Sequence, residues 1–98
     1  MVLHVVLFKL NEGVDEAAVE ALRVAIVGLQ EMIPGIEGVV WGGNSNPEGL
    51  GQGYDVGFVM TFADAAARDA YLAHPAHEAV HPLIDAVAAG VLVFDIAS

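Results

Sequence analysis

The stretch VLHVVLFKL, from Val2 to Leu10, decides the fold of this chain. Its β-branched and aromatic residues favour an extended strand, and the turn formers Asn11-Glu12-Gly13 end it. Successive side chains of a strand point to opposite faces of a sheet, and both faces of this strand are apolar. A sheet built around it therefore needs to be covered on both sides.

The residues after this strand predict a helix and then a second strand. From Val14 to Met32, apolar residues recur at three- and four-residue steps, the spacing of one helical face. Ile33-Pro34-Gly35 ends the helix, because proline disfavours helical geometry in the residue before it and glycine permits a reversal. Ile36 to Gly43 then reads as a strand, and Asn44 to Gly53 is a hairpin loop rich in turn formers.

The second half of the chain predicts a third strand, two helical segments and a last strand. Tyr54 to Phe62 has one broad apolar face, and Asp64 is the expected N-cap of a helix over Ala65 to Leu72. These elements repeat the order of the first half. A strand followed by a helix suits a crossover that returns to the same sheet.

The helical segment after this crossover contains two prolines. Pro75 suits the first turn of a helix running to about Ala88, within which Pro82 should bend or interrupt the chain. Gly90 then precedes the last predicted strand, Val91 to Ile96.

The predicted order is strand, helix, strand, strand, helix, strand. We interpret residues 1–98 as a single α+β domain with the ferredoxin-like βαββαβ fold and a four-stranded antiparallel sheet. Helices can cover only one face of that sheet, and no internal repeat supplies a second sheet. We therefore expect a homodimer in which two sheets pack together as a dimeric α+β barrel.

The composition narrows the classes of partner. The 98 residues are 56% hydrophobic, and 13 acidic residues against 3 basic ones give a formal charge of -10. Such a charge repels phosphate backbones and anionic lipids, so we predict no nucleic-acid partner and no membrane partner. Without an apolar run of membrane-spanning length or signal-peptide features, we expect a cytoplasmic protein. The absence of cysteine excludes disulfides and thiolate chemistry.

Five side chains that can exchange protons are candidates for a site. Four of them crowd the break between the two C-terminal helical segments, and the fifth lies in the first strand: Tyr71, His74, His77, His81 and His4. Each has a structural interpretation as well. His74 can cap a helix, His81 can be solvated, and His4 can be a buried core imidazole. Tyr71, like Trp41, can pack with its polar tip near water.

Residues His77 to His81 read HEAVH, which has the outline of a helical zinc motif. Two imidazoles four residues apart can chelate a metal. Pro82 directly follows the second histidine, however, and no third ligand is evident. We predict no metal and no organic cofactor, and we leave open an interface metal held by the loop from Asn44 to Gly53.

Several segments in order resemble one family over essentially the whole chain. They are HVVLFKL in the first strand, PGIEGVVWG (34–42), GYDVGFVMTF (53–62), YLAHPAH (71–77) and VLVFD (91–95). Together they resemble the stress-responsive α/β-barrel, or Dabb, family. The resemblance implies a homodimeric barrel, in agreement with the argument from the two apolar sheet faces.

The resemblance also implies candidate site residues. A plant polyketide cyclase of this family uses a tyrosine and a histidine that match Tyr71 and His77, and its first-strand histidine matches His4. A further pocket histidine of that enzyme falls at Val56, so part of its polar lining is missing here. We predict His77 and Tyr71 as the catalytic pair if the protein is an enzyme. The predicted ligand-binding residues are His4, Val56, Phe58, Trp41 and His74.

Three functions stay open on the sequence. The first is a homodimeric stress-responsive protein with a pocket for a small hydrophobic or aromatic ligand. The second is a cyclase or lyase in which His77 is the general base and Tyr71 a hydrogen-bond donor. The third is a structural role in which dimers stack into larger rings.

Overall fold

The computed structural model describes residues 1–98 as four strands and four helices. In chain order these are β1 (Val2–Leu10), α1 (Glu16–Met32), β2 (Ile36–Gly43), β3 (Val56–Phe62), α2 (Ala65–Leu72), α3 (Pro75–Glu78), α4 (His81–Asp85) and β4 (Ala88–Ala97). The strands form one antiparallel sheet in the order β2-β3-β1-β4. The predicted ferredoxin-like βαββαβ fold is confirmed. None of the helices combines the length and apolar character needed to cross a membrane.

The helices cover one face of the sheet. On β1, Val2, Val6 and Phe8 are buried on this face, and α1 packs Leu22 and Ile26 into the same core. His4, in the same row of β1, is the single buried polar residue of the chain. A titratable side chain therefore lies within the hydrophobic core, where an unpaired polar group would be costly.

The opposite face of the sheet is apolar and uncovered in one copy of the chain. Val40, Val59, Val5 and Phe94 lie side by side across the four strands. Val40 is 71% exposed and Phe94 is 61% exposed, unusual values for large apolar side chains that share one row. We call the surface centred on this row the uncovered face.

The interruption expected at Pro82 is confirmed. Two short helices, α3 and α4, follow Pro75 in place of one, because Pro82 lies in the first turn of α4, where its missing N–H needs no partner and a new helix can begin. The helical segment ends at Asp85 instead of continuing to Ala88.

Two strand boundaries also differ from the prediction. The last strand begins at Ala88, not Val91, because Gly90 pairs with Lys9 and an irregularity beside Lys9 lets Ala88 pair with Leu10. The third strand begins at Val56, not Tyr54. Before it, the Asp55 carboxylate accepts a hydrogen bond from the Leu10 backbone N–H, and the Asp55 carbonyl oxygen accepts one from the Asn44 backbone N–H.

Candidate functional site

A cavity of about 310 Å³ lies between the helix-covered face of the sheet and the helices α2, α3 and α4. Nine of its thirteen lining residues are hydrophobic, so the space is mostly apolar. Its inner wall includes the buried residues His4, Phe58 and Tyr71. Its rim includes Asp85 on α4 and Val93 on the edge strand β4, both exposed to solvent. The cavity therefore opens between α4 and this edge of the sheet.

Tyr71 and His77 meet at this cavity although they belong to different helices. Tyr71 lies in the last turn of α2, and His77 lies in α3, which starts at Pro75 after a short turn. Their ring centroids are 4.5 Å apart. The turn is held by His74, whose Nδ1 accepts a hydrogen bond from the Ala76 backbone N–H at 3.0 Å and caps α3.

A backbone contact sets the tautomer of His77. Its Nδ1 lies 3.2 Å from the Leu72 carbonyl oxygen, which can only accept, so Nδ1 carries the hydrogen in the neutral ring. Nε2 is then left as a hydrogen-bond acceptor. Burial lowers the pKa of His77 more than the Leu72 hydrogen bond raises it, and His81 and His4 lower it further. His77 is therefore a neutral base at physiological pH.

Tyr71 supplies the complementary donor. Burial raises the pKa of its hydroxyl to about 12, so the phenol stays protonated across the physiological range. The Tyr71 hydroxyl forms no hydrogen bond within the chain. Every completely buried side-chain oxygen or nitrogen has a hydrogen-bond partner, so this unbonded hydroxyl is not completely buried. We infer that this hydroxyl borders the cavity and is free to bond a ligand.

A polar chain behind the cavity fixes His4. Its Nδ1 lies 2.7 Å from one carboxylate oxygen of Asp95, whose other oxygen accepts a hydrogen bond from Arg68 at 2.7 Å. The His4 ring lies 5.7 Å from the Tyr71 ring in an edge-on arrangement. Because Asp95 occupies Nδ1, the nitrogen left for a ligand on His4 is Nε2.

Three of the predicted ligand-binding residues lie outside this cavity. Trp41 stacks on Phe58 with ring centroids 6.4 Å apart, so it packs against a residue that lines the cavity without lining the cavity itself. Val56 lies at a separate depression beside the loop that begins at Asn44, and His74 serves as the cap of α3. His4 and Phe58 do line the cavity together with the predicted pair Tyr71 and His77.

Other residues at the site were not selected from the sequence. Asp95 and Arg68 are separated by 27 positions, and Asp95 is 91 positions from His4, so no local spacing relates them. His81 was interpreted as a solvated residue. It is exposed, but its ring meets that of His77 edge-on at 4.9 Å and lines the rim. No three His, Cys, Asp or Glu side chains lie close enough to share a metal ion.

The fold and this histidine-lined cavity define a small protein of the ferredoxin-like α+β class. The family model described as the stress responsive A/B barrel domain, Dabb, matches residues 2–98. The chain belongs to this family.

Two relatives illustrate the range of the family. A stress-response A/B barrel domain-containing protein of Arabidopsis thaliana, HS1, is 36% identical over 76 residues, which cover 78% of this chain and 70% of that protein. The olivetolic acid cyclase of Cannabis sativa is 27% identical over 94 residues, covering 96% of this chain and 93% of the cyclase.

Solved structures share the whole fold. A protein from Arabidopsis thaliana is similar with a TM-score of 0.92 and 32% identity, covering 100% of this chain and 95% of its own. A dimeric ferredoxin-like protein of unknown function from Jannaschia sp. is similar with a TM-score of 0.82 and 29% identity, covering 99% of this chain and 98% of its own.

Proposed function

We propose that this protein is a homodimer whose two sheets pack face to face, and that each protomer binds a small hydrophobic or aromatic ligand in the cavity beside Tyr71 and His77. The observation that carries the proposal is the convergence of Tyr71, His77 and His4 on one apolar cavity. Packing alone gives no reason for three titratable rings to line an otherwise apolar space.

The uncovered face supports the dimer. Val40 and Phe94 together with their neighbours in the row form an apolar surface that water would otherwise contact. Burying one such side chain contributes about 1.5–3 kcal/mol, and a second copy presents a surface of the same shape and chemistry. The similarity to a dimeric ferredoxin-like protein is in keeping with this arrangement.

The chemistry of the cavity supports a ligand. Binding pockets are usually apolar with a few convergent polar groups, and their volumes start at about 300 Å³. Here the cavity of about 310 Å³ combines apolar walls with a donor on Tyr71 and an acceptor on His77. These two groups would orient a ligand that carries an oxygen.

A screen of small aromatic compounds by thermal shift and calorimetry tests the proposal. We expect hits that stabilise the wild type and lose most of that effect in Tyr71→Phe and His77→Asn. His74→Asn is the matched control, because asparagine also caps a helix and His74 lies outside the cavity. Hits that stabilise all four proteins equally would refute a ligand site in this cavity.

The apposition of Tyr71 and His77 favours a second candidate, an enzyme of cyclase or lyase type. Nε2 of His77 would remove a proton from the carbon beside a ligand carbonyl. The C–H electron pair would move through that carbon to the carbonyl oxygen, where Tyr71 donates a hydrogen bond to the enolate. The enolate carbon could then attack a second carbonyl, whose oxygen takes the proton back from His77. His4 would orient the substrate, and the 27% identity to a cyclase supports the comparison.

Proton exchange tests this chemistry without knowledge of the substrate. The acetyl methyl protons of 3-hydroxyacetophenone exchange with D2O through the same enolate, and proton NMR follows their loss. We expect wild-type protein to accelerate the exchange, His77→Asn to abolish the acceleration and His74→Asn to preserve it. Exchange at the buffer rate in the presence of wild-type protein that binds this ketone would exclude the enzyme and leave a binding protein.

A further inference from the structure

No Lys or Arg side chain lines the cavity beside Tyr71 and His77. The three basic residues of the chain all lie elsewhere: Lys9, Arg23 and Arg68. Each already has a partner. The Lys9 ammonium lies over the Tyr54 ring, Arg23 bonds to Glu20, and Arg68 bonds to Asp69 and Asp95.

The charged side chain that lines the cavity is an acid. Asp85, at the end of α4, is exposed at the rim and is the one Asp, Glu, Lys or Arg among the lining residues. An anionic ligand would have to pass this carboxylate and enter a chain with a formal charge of -10. Like charges in this arrangement repel, and the apolar walls offer no compensation for the lost hydration.

The polar groups inside the cavity suit an uncharged oxygen-bearing ligand. The Tyr71 hydroxyl donates a hydrogen bond, and Nε2 of His77 accepts one. A carbonyl oxygen of the ligand can accept the hydrogen bond from Tyr71, and a hydroxyl group of the ligand can donate one to Nε2 of His77. A carboxylate adds acceptors but no donor, so its extra oxygen gains no hydrogen bond from Nε2 of the neutral His77 to offset its lost hydration.

We infer that this site selects uncharged aromatic compounds bearing carbonyl or hydroxyl oxygens and discriminates against carboxylates and phosphates. The selection rests on the ligand site proposed above. It depends on three features of this chain: a rim carboxylate, a cavity without Lys or Arg, and an opposed donor and acceptor.

Three probe compounds of nearly equal shape show whether the charge of a ligand, and not its size, sets its affinity. They are 3-hydroxyacetophenone, 3-hydroxybenzamide and 3-hydroxybenzoate, which differ in a methyl, an amino or an anionic oxygen on the same carbonyl carbon. Calorimetry near neutral pH should show that both neutral probes bind and that the benzoate binds more weakly by about tenfold or more.

A charge variant tests the cause. Asp85→Asn should strengthen benzoate binding by about threefold to tenfold and leave the neutral probes within about twofold, since only the anion senses the rim charge. Glu31→Gln is the control, because it removes the same charge from the exposed side of α1, away from the cavity.

The outcomes separate the two proposals. Benzoate binding as tight as that of the neutral probes would overturn the charge selection and leave the ligand site intact. A benzoate affinity that responds equally to Asp85→Asn and Glu31→Gln would overturn the role of the rim carboxylate. Failure of all three probes to bind would overturn the ligand site and the selection with it.

Discussion

Nδ1 of His4 lies 2.7 Å from a carboxylate oxygen of Asp95, and the two residues face each other on the neighbouring strands β1 and β4. The pair joins a buried core position to a partly exposed one, with Arg68 closing the far side of the carboxylate at 2.7 Å. A buried imidazole thus gains a fixed partner and a fixed orientation. The same contact links the candidate site to the stability of the sheet.

The first prediction concerns the acid sensitivity of this contact. Burial acts to raise the pKa of Asp95, but hydrogen bonds from Arg68 and His4 outweigh it and hold the pKa below its ordinary value of 3.8. A carboxyl group with a depressed pKa stabilises the folded state above its unfolded pKa and loses that contribution as pH falls through the folded pKa. Asp95→Asn should therefore be less stable than wild type near neutral pH.

Urea unfolding at fixed protein concentration, at about pH 7 and about pH 3, measures this effect. The stability difference between Asp95→Asn and wild type should shrink at the lower pH, because the carboxyl of the unfolded wild-type chain takes up a proton below its ordinary pKa of 3.8 and the folded state is favoured less. Asp69→Asn is the control, since Asp69 bonds Arg68 without touching His4. If the stability difference between Asp95→Asn and wild type were the same at both pH values, the lowered pKa of Asp95 would be contradicted.

The second prediction concerns the pH dependence of ligand binding. Burial holds the pKa of His77 below its ordinary value of 6.5, and the neutral ring offers Nε2 as an acceptor. Affinity for 3-hydroxyacetophenone should stay level above that pKa and fall as His77 gains a proton below it. Calorimetry between about pH 4.5 and 8 locates the midpoint.

His81 provides the internal check on this midpoint. Its proximity lowers the pKa of His77, so His81→Asn should move the midpoint upward, toward 6.5. A binding curve that does not change with pH in wild type, or a midpoint that moves down in His81→Asn, would show that another group controls binding.

The third prediction separates the Tyr71 hydroxyl from its ring. The ring is buried and packs on Phe62 at 5.3 Å, while the hydroxyl bonds to no group of the chain. Tyr71→Phe should change the free energy of unfolding by less than about 1 kcal/mol and weaken ligand binding by about threefold to tenfold. Tyr71→Ala should cost about 3–5 kcal/mol of stability, because it leaves a cavity in the core. A large loss of stability in Tyr71→Phe would mean that the hydroxyl has a structural role.

The sequence predicted the elements whose signals are local. Bounds of β1, β2 and α2 were correct, and Asp64 caps α2 as expected. The interruption at Pro82 was also predicted, but the end of the helical segment at Ala88 was wrong, because Ala88 already pairs with β1 in the sheet and no local signal marks that pairing. Tyr71 and His77 were selected through a family resemblance, whereas Asp95 and Arg68 were missed because the sheet brings Asp95 to His4 and helix α2 brings Arg68 to Asp95 from distant parts of the chain.

The fourth prediction concerns the dimer, and two valines make a matched test. Val40 is 71% exposed on strand β2, at one end of the row that defines the uncovered face, and Val24 is 56% exposed on the solvent side of α1. Val40→Lys should place a charge inside the proposed interface and convert the dimer to monomer at micromolar concentration, because an unpaired buried charge costs several kcal/mol. Val24→Lys should leave the dimer intact. Sedimentation equilibrium measures the mass of each protein in solution. A monomeric wild type would show that the sheets do not form the interface. Equal masses for Val40→Lys and Val24→Lys would show the same.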